Sequence, residues 1–167
     1  TTTALALIGT GPVSSGAVAV SSDGSRVIGG NTVWNLTTQT RSSMAGPSET
    51  TGFNARAASD DSTVWVGHST VAGVQRAARS VNNTAVLLPL PQSAINSIVV
   101  CTDALGSIAG GSYTRIIPAF NDPPTERRAV IWRADLGSVD LTNYATGVLG
   151  LGLSGTILTS CNGVSAD

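Results

Sequence analysis

One pattern recurs along this 167-residue chain and constrains its fold more than any other feature: a short apolar run, a Ser-x-Asp turn, then a second apolar run closing on glycine. Val18-Ala19-Val20-Ser21-Ser22-Asp23-Gly24-Ser25-Arg26-Val27-Ile28-Gly29-Gly30 is the first copy. The second runs from Ala57 through Ser59-Asp60-Asp61 and Val64-Trp65-Val66 to Gly67-His68, and the third from Val99 through Asp103 to Gly110-Gly111. A fourth starts at Asn162-Gly163-Val164-Ser165-Ala166-Asp167. Such self-similarity marks a repeat architecture, in which each unit buries its apolar face against the next. The aspartate of each turn can cap backbone amides, and the Gly or Asp after it tolerates a left-handed backbone. Asp23, Asp60 and Asp103 read as equivalent turn formers. The closing glycines leave room for a neighbouring backbone to come near.

A second paired element follows each hairpin. It is Thr32 to Leu36 turning at Thr37-Thr38, then Ala77 to Val81 turning at Asn82-Asn83, then Ala129 to Arg133 turning near Asp135 to Gly137. Insertions are expected at 69–75, 112–128 and 146–155. No apolar period of 3.6 residues is present, and the short apolar runs are bounded by Gly, Pro, Ser, Asn and Asp, the punctuation of strands. The expected fold is all-β: a propeller-like or sandwich array of repeated four-stranded units with few or no helices. The chain reads as one domain over 1–167, with units over about 16–53, 54–95 and 96–161, a partial unit over 162–167 and an N-terminal strand over 3–8.

Charged residues are only 11% of the chain, against about 25% in ordinary globular proteins. Their place is taken by 20 Ser, 20 Thr and 19 Gly. So few charges weaken the repulsion that keeps copies apart, which favours self-association. Nine Arg, no Lys and ten acidic residues give a net charge of −1, with no basic stripe for nucleic acid. The absence of Lys leaves no amine for Schiff-base chemistry. The uncharged stretch Leu141 to Ala166 is broken every few residues by Gly, Ser, Thr or Asn, so no membrane span is expected. Thr1-Thr2-Thr3, without Met, reads as a processed N-terminus.

Candidate chemistry is sparse. His68 is the one histidine available to a Ser-His-Asp arrangement, with Asp60 and Asp61 near it in sequence, but it reads as a polar residue at a strand end. Glu49 and Glu126 are the only glutamates that could pair as glycosidase carboxylates, and both fall in polar, loop-like segments. Asp60-Asp61 and Asn121-Asp122 are too sparse for a calcium loop, and Gly29-Gly30 and Gly110-Gly111 open no helix that could hold phosphate. Trp34, Trp65 and Trp132 offer faces for stacking sugars, yet Trp34 and Trp132 fall at matching repeat positions, which favours a shared core role. No catalytic, cofactor-binding or metal site is expected. Asn35 and Asn82 head glycosylation sequons.

Cys101 lies in the first strand of the third unit and Cys161 opens the matching strand of the fourth, so the two are expected to meet as a disulfide; a buried free pair is the alternative. The bridge would close a loop of about 60 residues and contribute roughly 4 kcal/mol.

The repeats resemble an extracellular family named for a His-Ala-Phe tripeptide, found in bacterial surface and autotransporter-like proteins. The likeness lies in Ala19-Val20-Ser21-Ser22-Asp23-Gly24 with its closing Val27-Ile28-Gly29-Gly30, and in Ala129 to Trp132. Leu153 to Ser160, running into Val164-Ser165-Ala166-Asp167, looks like the family's closing unit. The tripeptide itself is absent; Arg76-Ala77-Ala78 and Arg128-Ala129-Val130 stand where it would fall. The resemblance implies a propeller-like fold, a bacterial cell-surface or extracellular location, and no assigned activity.

The N-terminal run Ala4-Leu5-Ala6-Leu7-Ile8 is wholly apolar and precedes a Gly-rich hinge, Gly9-Thr10-Gly11-Pro12. An unpaired strand of this kind is a liability, so it is expected to enter a sheet, either of its own molecule or of a neighbouring copy. The leading functional expectation is a non-enzymatic extracellular structural subunit that assembles with other copies of itself into a surface fibre by strand exchange. The rival is a monomeric carbohydrate- or surface-binding β module with glycans as partners.

Overall fold

The computed structural model describes residues 16–117, 124–135 and 137–165. Twelve strands and one short helix form in chain order: β1 (Ala19–Val20), β2 (Arg26–Gly29), β3 (Thr32–Asn35), β4 (Thr40–Ser43), β5 (Thr51–Ala58), β6 (Val64–Val71), β7 (Val74–Val81), β8 (Thr84–Leu87), β9 (Ala94–Thr102), β10 (Ile108–Ile116), β11 (Thr125–Arg133), β12 (Gly137–Asp140) and α1 (Leu141–Gly147). The fold is all-β, as the strand-length apolar runs require. Each set of four successive strands is one antiparallel meander, giving three separate open sheets.

The sheets stack in chain order, and strand alternation dictates how. On β6, Val64 and Val66 point to the third sheet while Trp65 points to the first. The first interface joins Ile28, Val33 and Met44 to Phe53, Ala55, Trp65 and Ala78. The second joins Val64, Val66 and Ala77 to Val99, Ala109, Tyr113, Val130 and Trp132. The middle sheet is thus apolar on both faces, and β6 is buried over its first six residues. The outer face of the third sheet holds Cys101 and Ala129, covered by Leu158, Cys161 and Val164 from the C-terminal segment.

The turns explain the repeated signature. Ser21 Oγ donates to Asp23 Oδ1 at 2.6 Å and accepts from Arg26 N at 2.9 Å. Ser59 repeats both bonds, to Asp61 at 2.7 Å and from Val64 N at 3.0 Å. Asp61, rather than Asp60, is therefore the partner of Asp23. In the third unit the register moves again: Asp103 Oδ1 accepts from Ile108 N at 2.8 Å, taking the place of the serine. These bonds hold Asp23 down at about 2, first through the Ser21 hydroxyl and then the Ser25 amide, and the Ser59 hydroxyl lowers Asp61 likewise.

The positions between carry the units together. Ser22 N donates to Asp60 O at 2.7 Å, and Asp60 N donates to Ala104 O at 2.9 Å, one hydrogen-bonded column through all three turns.

Two of the expected insertions are extensions of the sheet. Within 69–75, β6 runs on to Val71 and β7 starts at Val74, because Ala72 and Gly73 take positive φ values of 48° and 83° and turn the chain in two residues. Within 112–128, β10 and β11 pair as far as Ile116 and Thr125. Ser and Thr there have the β-compatible geometry that composition alone hides.

Candidate functional site

Two arginines and two carboxylates meet at one end of the third sheet. β10 supplies Tyr113 and Arg115, the facing strand β11 supplies Glu126 and Arg128, and the β12–α1 junction supplies Asp140 and Asn143. Pairing of Tyr113 with Arg128 and of Arg115 with Glu126 across the ladder brings them together. Arg128 Nε donates to Glu126 Oε2 at 2.7 Å, and its Nη1 donates to Asp140 Oδ2 at 3.2 Å and to Asn143 Oδ1 at 3.1 Å. Arg115 Nε donates to the same Glu126 oxygen at 2.8 Å. The Tyr113 hydroxyl donates to Asp140 Oδ2 at 2.5 Å. Asp140 also caps α1, its Oδ1 accepting from Asn143 N at 2.8 Å.

The network sets the protonation of its members. Burial pushes Asp140 up, but the Tyr113 hydroxyl, the Asn143 amide and Arg128 outweigh it and hold the carboxyl below its ordinary range. Hydrogen bonding from Arg128 lowers Glu126. Burial, with Asp140 beside it, raises Tyr113, so its hydroxyl stays a donor. Two cations and two carboxylates are thus fixed as mutually neutralising pairs. Over Tyr113, Arg115 and Asp140 opens a cleft of about 430 Å³, bounded by the Pro91–Ser93 turn on one side and by α1 on the other.

The residues singled out from sequence fall elsewhere, Glu126 excepted. Glu126 lies in the network, while Glu49 is exposed in the connection between β4 and β5, so the two do not form a carboxylate pair. His68 is 8% exposed on β6, its proton affinity lowered by burial and by Arg56. No serine or carboxylate is hydrogen-bonded to it among the described residues. Among the described residues no cluster of His, Cys, Asp or Glu could hold a metal ion, and no helix is long and apolar enough to cross a membrane. Trp34, Trp65 and Trp132 are all buried in the core, with 1%, 6% and 3% exposure, so none offers a face to a ligand. Asn35 Oδ1 accepts from the Thr37 and Thr38 amides, and Asn82 sits exposed in a hairpin turn at φ 47°.

Cys101 and Cys161 are neighbours, as the repeat register requires, but the structure holds them as two free, buried thiols. Each sulfur lies 2.7 Å from the place a Cβ on Gly110 would take. Burial, with Cys161 adjacent, pushes Cys101 up to about 11. The N-terminal run Ala4-Leu5-Ala6-Leu7-Ile8 lies outside the described residues.

The sequence carries a local signal for the cleft. In so uncharged a chain, Arg115, Glu126, Arg127, Arg128 and Asp140 fall within one unit, and Asp140 stands three residues before Asn143 as a helix cap does. No family model, curated protein or solved structure matches this chain.

Proposed function

We propose that the chain is a non-enzymatic, extracellular structural subunit of a bacterial surface, made to associate with other copies of itself. The observation that carries this reading is the repeated bonding between units. The column Ser22–Asp60–Ala104 links each turn to the next by the same amide-to-carbonyl bond. Backbone bonds also tie two of the following segments to the unit before them: Ala55 N donates to Gly30 O at 2.7 Å, and Cys161 N of the C-terminal segment donates to Gly111 O at 3.0 Å. An interface that is translated rather than closed accepts a further unit without redesign, and applied between copies it gives an open, head-to-tail assembly. The scarcity of charge removes the main obstacle to such contacts. The turn aspartates and the carboxylates of the third sheet are spent on hydrogen bonds and ion pairs, which accords with a structural role.

Electron microscopy of the purified protein tests the proposal: filaments are expected, and uniformly dispersed particles would favour the monomeric binding module instead. Deleting Thr1 to Ile8 is expected to abolish the filaments and leave a folded monomer, because the apolar run is the strand proposed to be lent to a neighbour. Normal assembly of the truncated chain would refute strand donation.

A further inference from the structure

The cleft over the third sheet opens beside the second interface, in which its floor residue Tyr113 also packs, and the contacts that join the units do not fill it. We propose that it binds a neutral saccharide. Its volume of about 430 Å³ lies at the small end of the range for ligand pockets, about 300–1,000 Å³. Its floor is rigid: Tyr113 is 3% exposed and Asp140 is held by three donors, so bound groups meet a surface already ordered before they arrive.

Charge selects the class of ligand. Arg115 and Arg128 are matched by Glu126 and Asp140 in direct ion pairs, so the site offers no net charge to a phosphate, a carboxylate or an ammonium. It offers uncommitted hydrogen-bonding groups instead. The Arg115 Nη nitrogens and the Asn143 Nδ2 amide have no partner among the described residues, while Arg115 Nε and Asn143 Oδ1 are engaged in the network. Gln92 and Ser93, both exposed, line the opposite wall and bring an amide and a hydroxyl to it. Side-chain amides and a guanidinium around a neutral floor suit the vicinal hydroxyls of a sugar, which both donate and accept. Tyr144, with 38% of its surface exposed on the α1 wall, supplies the aromatic face that packs against the C–H side of a sugar ring.

Saturation-transfer NMR on the full chain tests this, with glucose, galactose, mannose, N-acetylglucosamine and N-acetylgalactosamine as probes and glucuronic acid as the charged comparator. Transfer to at least one neutral sugar is expected, with weaker transfer to glucuronic acid. Gln92→Ala combined with Tyr144→Ala should weaken that binding by about tenfold or more. Neither side chain makes a hydrogen bond among the described residues, so the fold should persist, with the far-ultraviolet circular dichroism spectrum of the double variant unchanged. No transfer to any neutral sugar, undiminished transfer in the double variant, or preference for glucuronic acid would each overturn the proposal. The experiment reads the cleft whether the chain is dispersed or assembled, so its failure leaves the structural reading untouched.

Discussion

At Gly29, Gly67 and Gly111 the backbone of the neighbouring strand stands where a side chain would begin. The carbonyl oxygens of Gly16, Asn54 and Ile98 lie 2.1, 2.0 and 2.0 Å from the three Cβ positions. In the second and third units the approach coincides with a register shift, between Ala55 and Ala57 and between Gly110 and Gly111, so glycine marks the bulge that bends each leading strand. Neither oxygen can move without breaking its ladder. Gly67→Ala and Gly111→Ala should each lose about 1–3 kcal/mol in urea unfolding. Gly163→Ala, with nothing within 4 Å of its Cβ, should leave the midpoint unchanged.

The turn is the element in which the third unit departs from the other two. Asp103 is 2% exposed, yet its Oδ2 has no partner, and Leu105, at the position of Asp23 and Asp61, is 71% exposed. A buried carboxylate oxygen without a donor is costly. Asp103→Ser with Leu105→Asp rebuilds the serine–aspartate pair of the first two turns and should raise stability by about 0.5–2 kcal/mol, measured by thermal unfolding. The C-terminal segment is a second element with a definite test. Cys101 and Cys161 meet there as two free, buried thiols where this segment covers the third sheet. Protein isolated and unfolded without reductant should titrate both thiols; a chain that titrates none would show that the pair closes as a disulfide. In the reduced, folded chain, alkylation of Cys101 at neutral pH should be slow, since burial keeps it protonated.

For the molecule as a whole, the ion-pair network couples stability to acid. Glu126 and Asp140 have lowered proton affinity when folded, so the unfolded state binds protons more readily. Their stabilisation is present above the ordinary carboxylate range, at about pH 4, and is lost as pH falls through and below it. The urea midpoint should therefore drop between about pH 5 and pH 3, and Glu126→Gln with Asp140→Asn should flatten that drop. The all-β class, the repeat and the turn chemistry were legible in the sequence because each is local: alternation, a serine two residues before an acid, and a glycine at a strand end act over a few neighbouring positions. The Cys101–Cys161 adjacency was legible too, since repeat register alone predicts it. Register between units was less so. Asp60 and Asp61 are adjacent, and only the backbone bonds from Ser22 and to Ala104 show that Asp60 links the turns while Asp61 closes one. The cleft was not legible, because its groups come from strands and a helix cap spread over tens of residues, and only antiparallel pairing places Arg115 against Glu126 and Tyr113 against Arg128. Sequence by itself determined the all-β class, the turns and the order of the strands; tertiary structure decided how far β6, β7, β10 and β11 run, which faces meet and where the two ion-paired arginines and carboxylates converge, because burial and long-range pairing act between residues that are not neighbours in the chain.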